Sequence, residues 1–199
     1  MADLEKTRKN LENRGFRAHV FATGAEAAEF LVQTLHNTCI GIGGSVTIDE
    51  IGVYDRLCES NEVFWHWKNH APETRERAGK AETYLCSANG VSETGEIVNI
   101  DGFGNRVTGT IYGPQRVFLV VGKNKIAPDL NGAIDRARNI AAPLNARRLN
   151  RHTPCAVGEP RCHDCRSPEK ICGVMTVFFM PPTSIKEFQV ILVDEDLGY

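Results

Sequence analysis

The chain has 199 residues, 42% of them hydrophobic, and a formal net charge of −2, so it is long and apolar enough to bury the core of a single domain over residues 1–199. Its positive and negative charges are interspersed, so there is no basic patch of the kind that binds nucleic acid. The charged first residues do not resemble a signal peptide. No apolar run approaches the roughly 18 residues that a membrane span requires. We therefore expect a cytoplasmic protein that binds neither nucleic acid nor membrane.

The first forty residues predict a helix, a strand, a second helix and a second strand. A mostly polar helix around LEKTRKNL precedes the extended segment FRAHVF. Thr23 and Glu26 have the spacing of a capping box at the start of the next helix. The short apolar run TCIGI then predicts a buried strand. This alternation is typical of an α/β protein.

The following segment predicts two further helices and two further strands. Thr47 and Glu50 form a second capping-box pattern. It would open a helix whose core-facing residues are Ile48, Ile51, Tyr54 and Leu57. VFWHW is a strand candidate, PETRERAGKAE is a helix, and TYLCSA is another strand.

The second half of the chain contains the most apolar strand, RVFLVVG, a continuous run typical of a strand buried on both faces of a parallel sheet. Before it, residues 91–109 alternate extended pieces with turns. After it, Asp129 caps a helix that we expect to end near Pro143, and VMTVFFM and FQVILV are the last strands. We predict an α/β fold with an open, mostly parallel sheet flanked by helices, in which strands 39–42 and 117–121 are neighbours or nearly so.

A glycine-rich turn, Gly43, Gly44 and Ser45, joins the TCIGI strand to the helix near Thr47. Glycines let a ligand approach the backbone closely, and the free N–H groups of a helix start favour an anion. The hydroxyls of Ser45 and Thr47 add hydrogen-bonding groups. Because open α/β sheets bind ligands at the carboxyl ends of their strands, we predict that this turn binds a ligand. A tight strand–helix connection without a ligand is the alternative.

Three further polar segments follow or interrupt predicted strands. They contain the candidate ligand-binding residues Asn89, Asp101, Asn105, Arg106, Lys123 and Asn124. Asn-Gly and Asp-Gly pairs are strong turn formers, which is the purely structural explanation. Loops on a rigid sheet, however, also concentrate binding groups. With Glu50 and the glycine turn, these side chains are predicted to line one polar cleft around a small anionic substrate.

Four of the seven cysteines lie in the loop 152–173, with the spacing C-x6-C-x2-C-x6-C. They are Cys155, Cys162, Cys165 and Cys172. Four thiolates are the ligand set of an iron–sulfur cluster or of a tetrahedral zinc ion, although the spacing matches neither the standard zinc ribbon nor the standard ferredoxin pattern. Two disulfides and free thiols are the alternatives, and His152 or His163 could replace one cysteine.

The motifs GIGGSVTIDEIG, SANGVSETGEIVNIDGFGNRV and YGPQRVFLVVGKNKI, together with the cysteine segment, resemble the lactate utilization (LUD) domain family, in its cysteine-motif branch. The resemblance covers most of the chain from about Cys39. It implies a NagB/RpiA/CoA-transferase-like fold and a role in bacterial oxidation of L-lactate to pyruvate beside iron–sulfur redox partner proteins. It also implies binding roles for the glycine turn and the polar segments.

Two hypotheses about function follow. In the first, the chain is an enzyme or enzyme subunit acting on a small carboxylate, with Arg106 or Lys123 pairing with the carboxylate and Glu50 or Asp101 as the acid/base group. In the second, it is a non-catalytic electron-relay or regulatory binding subunit that depends on its cluster. The apolar segments FFM and FQVILV would suit a homodimer.

Overall fold

The computed structural model describes residues 2–199, and a parallel sheet of six strands forms the centre of that region. With strands numbered in chain order, they are β1 (Arg17–Phe21), β2 (Cys39–Ile42), β3 (Glu62–Trp65), β4 (Thr83–Cys86), β7 (Arg116–Gly122) and β10 (Glu187–Val193). In space their order is β1-β10-β7-β4-β2-β3, and every neighbouring pair is parallel. The predicted open α/β fold is confirmed, and β2 and β7 are separated only by β4.

A second, smaller sheet, which the sequence did not predict, packs beside the first. Its strands are β5 (Gly90–Ser92), β6 (Ile97–Asp101), β8 (Ile126–Ala127) and β9 (Val174–Phe178), in the order β8-β5-β6-β9. β6 is antiparallel to both β5 and β9. Asp101 at the end of β6 pairs with Val174 at the start of β9. The small sheet therefore brings the cysteine-bearing loop next to Asp101.

Helices flank the two sheets. They are α1 (Leu4–Asn13), α2 (Gly24–Thr34), α3 (Val46–Glu50), α4 (Tyr54–Cys58), α5 (Thr74–Gly79), α6 (Asn105–Ile111), α7 (Leu130–Arg136), α8 (Ala142–Arg148) and α9 (Pro154–Val157). A 3-10 turn, Lys123–Lys125, follows β7, and a π-helical segment, Ala137–Ala141, joins α7 to α8.

Two apolar clusters lie on the two faces of the central sheet. One joins Leu31 of α2 to Phe118 of β7, and the other joins Leu11 of α1 and Ile97 of β6 to Leu119 of β7. β7 thus contributes alternate residues to both clusters, and its residues 117–122 are all buried. The prediction that RVFLVVG is buried on both faces is confirmed.

Two predicted helix starts are confirmed by their hydrogen bonds. The Thr23 side chain accepts a hydrogen bond from the Glu26 N–H at 3.2 Å. Asp129 accepts one from the Gly132 N–H at 2.8 Å at the start of α7. Each side chain satisfies a backbone donor that has no partner within the helix.

The predicted helix beginning at Thr47 is instead two short helices, α3 and α4. Ser45, not Thr47, is the N-cap of α3, since its side chain accepts the Ile48 N–H at 3.3 Å. Glu50 closes no capping box, because its carboxylate accepts a backbone N–H from the C-terminal segment. Gly52, with φ at +63°, then separates α3 from α4.

The helix after Asp129 does not end near Pro143. α7, the π-helical segment and α8 form one continuous helical run, with Pro143 in the first turn of α8. The changed backbone register of a π turn accommodates a residue that lacks an N–H. The last part of the segment 91–109, predicted to be extended or turn, belongs instead to helix α6 (Asn105–Ile111).

The last strand, FQVILV, is buried between β1 and β7. It is therefore not the exposed apolar segment expected for a homodimer contact. In FFM, the other segment proposed for a homodimer contact, Phe179 and Met180 are exposed. None of the helices in residues 2–199 has both the length and the apolar content needed to cross a bilayer.

Candidate functional site: a basic cavity and an adjacent cysteine loop

A cavity of about 460 Å³ lies at the carboxyl edge of the central sheet. Ile42 of β2 pairs with Trp65 of β3 and Leu85 of β4, so the loops that follow these three strands meet at one edge. The residues they contribute to the lining are Gly44, Ser45, Val46, His66, Trp67, Ser87, Ala88 and Asn89. This is where open α/β sheets bind ligands, and we call it the basic cavity for the charges described below.

Gly43 lies where the glycine turn meets α6. A Cβ atom at this position would lie 2.8 Å from Arg106 Cγ and 2.9 Å from Tyr84 Oη. Tyr84 is buried, and its hydroxyl donates a hydrogen bond to the Asn105 carbonyl at 3.1 Å. The absence of a side chain therefore lets the stem of Arg106 pass along the turn. The close approach predicted for this glycine is made by Arg106 of the same chain.

Asn89 and Asp101 hold Arg106 at the basic cavity. Arg106 Nη2 donates to Asn89 Oδ1 at 3.4 Å and to the Ile100 carbonyl. The buried Asp101 carboxylate accepts the Arg106 backbone N–H at 2.9 Å, and its Oδ2 lies 3.8 Å from Arg106 Nε. The structure thus brings these three predicted residues together, and Asp101 orients Arg106.

Basic side chains dominate the lining of the cavity. They are Arg75, Arg106, Lys125, Arg148, Arg151 and Lys170, against the two carboxylates Asp101 and Glu169. Asp101 faces Arg106, and Glu169 accepts the backbone N–H of His152 at 2.6 Å. The excess positive charge in a concave site favours an anionic ligand.

Lys125, rather than the predicted Lys123, is the lysine in the basic cavity. The Lys123 side chain is 41% exposed, and its Nζ lies 3.0 Å from Asp194 Oδ1. Lys125 is only 3% exposed and belongs to the cavity lining. The two lysines are two residues apart on a 3-10 turn, so they project in different directions. The sequence alone does not show which of them faces the sheet.

Two hydroxyl groups fix the Lys125 amine. Its Nζ donates to Thr47 Oγ1 at 2.7 Å and to Ser87 Oγ at 3.0 Å. Burial lowers the pKa of Lys125 to about 7, and Arg136 and Arg106 act in the same direction. A buried lysine with this pKa can carry a neutral amine near neutral pH.

The cysteine loop lies beside the basic cavity. Its four cysteines line a second, small cavity, and Lys170 and Ile171 of the same loop line both cavities. Cys162 Sγ accepts hydrogen bonds from Arg138 Nη2 and from the Asp164 N–H, both at 3.4 Å. All seven cysteines, which lie within the described region, are free. The two-disulfide alternative is therefore not the one seen.

The loop thiols share a cavity without the spacing that one metal ion imposes. Zn–S bonds of about 2.3 Å place the sulfurs of a tetrahedral zinc site about 3.8 Å apart. Over residues 2–199, no three His, Cys, Asp or Glu side chains are arranged to hold a metal ion. In an iron–sulfur cluster the thiolates are more widely spaced, because iron and sulfide lie between them. Four thiols are a donor set that suits both an iron–sulfur cluster and a zinc ion, so both alternatives stay open at this loop.

Comparison with known families adds an independent observation. Residues 4–193 match the model described as LUD domain. The chain belongs to the LUD domain family. The resemblance to the LUD domain family is thus confirmed, and the assignment to its cysteine-motif branch stays a prediction. A comparison with curated proteins gave no match.

A solved structure has the same fold as this LUD domain. It is the crystal structure of a DUF162 family protein from Deinococcus radiodurans, with a TM-score of 0.56 and 14% sequence identity. The match covers 96% of this chain and 95% of the other. At that identity the similarity shows the fold alone.

The basic cavity of the LUD domain also contains His66, which the sequence did not single out. Burial lowers the pKa of His66 to about 4, and Arg75 and His70 act in the same direction. Its Nδ1 is buried and has no hydrogen-bond partner among residues 2–199. His66 therefore presents a neutral ring that can donate or accept a hydrogen bond. The VFWHW pattern predicted that His66 lies within a strand, but the strand ends at Trp65, two residues before the end of that pattern.

The remaining predicted residues have different positions in this LUD domain. Asn105 lines the basic cavity, and Thr47 lies buried next to it against Lys125. Glu50 is exposed and is not part of the lining. Asn124 holds the C-terminal segment through hydrogen bonds of 3.0 and 3.2 Å to its backbone. Of the two acid/base candidates, Asp101 alone faces the cavity.

Proposed function

We propose that this LUD domain binds a small carboxylate of the lactate and pyruvate class in its basic cavity. Family membership suggests a lactate-utilization-related function. The observation that carries the proposal is the position of Arg106, which Asn89 and Asp101 hold in a cavity lined mainly by basic groups. An arginine fixed in this way binds a carboxylate with strong, directional hydrogen bonds and loses little further entropy.

Arg106 retains hydrogen-bond donors for such a ligand. A guanidinium has five N–H groups, and the hydrogen bonds of Arg106 to the rest of the described chain use Nη2. We expect Nη1 to donate to a carboxylate oxygen and the backbone of the Gly44–Ser45 turn to lie on the other side of the ligand. The cavity is larger than a three-carbon acid requires, so a related acid with a second polar group also fits.

An acid/base role, if the chain is an enzyme, would fall to Asp101 or to His66. Asp101 is the predicted candidate that lines the cavity, and its carboxylate already accepts two backbone N–H groups, from Phe103 and Arg106. His66 lines the cavity with a neutral imidazole ring. Glu50 is removed from this role by its exposure.

Calorimetric titration of pyruvate and L-lactate into the purified protein tests the binding proposal. Arg106→Gln should weaken the binding by about 10- to 150-fold, because a hydrogen bond to a charged group contributes about 1.5–3 kcal/mol. Lys123→Gln is the matched control, since it removes a positive charge outside the cavity lining. The proposal would be rejected if the wild type and both variants bound with equal affinity, or if neither acid gave a measurable heat of binding.

We also propose that Cys155, Cys162, Cys165 and Cys172 hold an iron–sulfur cluster, as expected for the cysteine-motif branch. The support is that the four thiols line one cavity and that Arg138 donates a hydrogen bond to Cys162 Sγ. The bound cluster would accept or donate single electrons. An iron–sulfur partner protein would then exchange those electrons with the chain.

Anaerobic expression with iron supplied tests the cluster. Wild-type protein should be brown and contain iron and sulfide, whereas Cys165→Ala should lose both. Cys58→Ala, which changes an exposed cysteine far along the chain from the loop, should retain them. Brown protein that binds neither acid would favour the electron-relay alternative, and colourless wild-type protein would reject the cluster.

A further inference from the structure

We propose that Lys125 is a nucleophilic amine that condenses with the carbonyl group of a 2-oxo acid bound in the basic cavity. The inference rests on the proposed function, because the carboxylate of that acid must be held in the same cavity. Lys125 is 3% exposed, and it is part of the cavity lining. Carbonyl substrates are the ordinary electrophiles of such lysines.

Hydrogen bonds orient the Lys125 amine. Its two acceptors, Thr47 Oγ1 and Ser87 Oγ, donate their own protons elsewhere, to the carbonyls of Leu197 at 3.3 Å and Ala88 at 3.4 Å. Both oxygens therefore act as acceptors toward the amine. An ammonium has three N–H groups, so the third position of Nζ, or the lone pair of the neutral amine, is left for the cavity.

The charges around Lys125 favour its neutral form. Arg136 on α7 and Arg106 on α6 oppose a further positive charge, while Glu50 on α3 and the thiol of Cys86 on β4 weakly support one. Lys125 has no ion-pair partner among the described residues. Burial is the largest cause of the lowered pKa of about 7, and the two arginines add to it, which leaves a substantial fraction of the amine unprotonated near neutral pH.

The condensation balances without an oxidant or a reductant. The lone pair of Nζ attacks the carbonyl carbon of the 2-oxo acid, a C–N bond forms, and the carbonyl electron pair moves to oxygen. The amine proton passes to that oxygen, which gives a carbinolamine. Loss of the hydroxyl group and the remaining N–H proton as water yields an imine. A 2-hydroxy acid such as lactate has no electrophilic carbon at this position and cannot react in this way.

Reductive trapping tests the inference. Wild-type protein is incubated with pyruvate and sodium cyanoborohydride near neutral pH, and then analysed by intact mass and peptide mapping. We expect one reduced pyruvyl adduct per chain, located on Lys125. L-lactate should give no adduct and should slow labelling by pyruvate. Lys123→Arg should be labelled like the wild type, and Lys125→Met should not be labelled.

Peptide mapping of the wild type decides the question even if Lys125→Met fails to fold. Adducts spread over surface lysines, or a single adduct elsewhere, would overturn the inference. Pyruvate binding that depends on Arg106 without any adduct on Lys125 would also overturn it, while the proposed function would stand. Failure of the proposed function would instead appear as the absence of calorimetric binding of both acids.

Discussion

Replacing Gly43 with alanine is expected to displace Arg106 from the basic cavity. The added Cβ would lie 2.8 Å from Arg106 Cγ and 2.9 Å from Tyr84 Oη, whereas carbon atoms pack at about 3.5–4.0 Å. Tyr84 is buried and hydrogen-bonded to Asn105, so the Arg106 stem must move by about 1 Å. We expect a destabilisation of about 1–3 kcal/mol, or a fall in Tm of about 2–12 °C.

Gly44→Ala is the matched control for this substitution. The nearest atoms to a Cβ at Gly44 are Trp67 Nε1 at 3.4 Å and Trp67 Cζ2 at 3.5 Å, which are ordinary contacts. Thermal unfolding should show a loss of stability for Gly43→Ala and a small change for Gly44→Ala. Pyruvate titration should show at least a tenfold loss of affinity for Gly43→Ala, whereas Gly79→Ala, with open space around its Cβ and a position outside the cavity lining, should bind like the wild type. Equal stability of Gly43→Ala and Gly44→Ala, or equal affinity of Gly43→Ala and Gly79→Ala, would refute the role assigned to the close approach of Arg106.

Two other predictions follow from the structure. The pKa of Lys125 falls from an ordinary value of 10.5 to about 7 in the folded chain, so between these pH values the unfolded state binds more protons and the contribution of Lys125 to stability should rise with pH. Urea unfolding should therefore show that the wild type gains stability relative to Lys125→Met from pH 7 to pH 10. A stability difference that does not change with pH would contradict this prediction. A Cβ atom at Gly102 would lie 2.8 Å from the Ile171 backbone, so Gly102→Ala should loosen the cysteine loop and speed its proteolysis. Gly173→Ala is the control, because a Cβ at Gly173 meets open space and should not change the cleavage rate. Equal cleavage rates for the two variants would contradict the packing of Gly102 against the loop.

The overall fold could be predicted because its strongest signals are local. RVFLVVG is apolar at consecutive positions, which is typical of a strand covered on both faces, and the structure places it in the middle of the parallel sheet. The caps at Thr23 and Asp129 are likewise local patterns of one side chain and one backbone N–H. The second sheet was missed because β8 and β5 have only two and three residues.

The errors arose where tertiary contacts override local patterns. The Thr47/Glu50 spacing suits a capping box, yet burial of Thr47 against Lys125 and the backbone contact of Glu50 give both residues other partners. Proline usually ends a helix, but the π-helical segment before Pro143 lets the helical run continue. Neither the contacts of Thr47 and Glu50 nor the π-helical segment leaves a periodic signal in the sequence.

The candidate site was predicted in part for the same reason. Strand ends indicated the glycine turn and Asn89, because the carboxyl ends of parallel strands meet at one edge. Asp101 and Arg106 follow β6, which is antiparallel to its neighbours in the smaller sheet, so that rule does not explain their place in the cavity. The choice between Lys123 and Lys125 depends on the direction of a single 3-10 turn. Glycine signals are also ambiguous, since Gly43 accommodates an arginine stem as readily as a ligand.

A crystal structure of the protein grown with pyruvate tests the central claim most directly. The account predicts ligand density in the basic cavity with a carboxylate oxygen about 2.7–3.2 Å from the guanidinium of Arg106. Continuous density from the ligand to Lys125 Nζ would add the proposed imine. An empty basic cavity at a pyruvate concentration that saturates binding in solution, or pyruvate bound away from Arg106, would contradict the account.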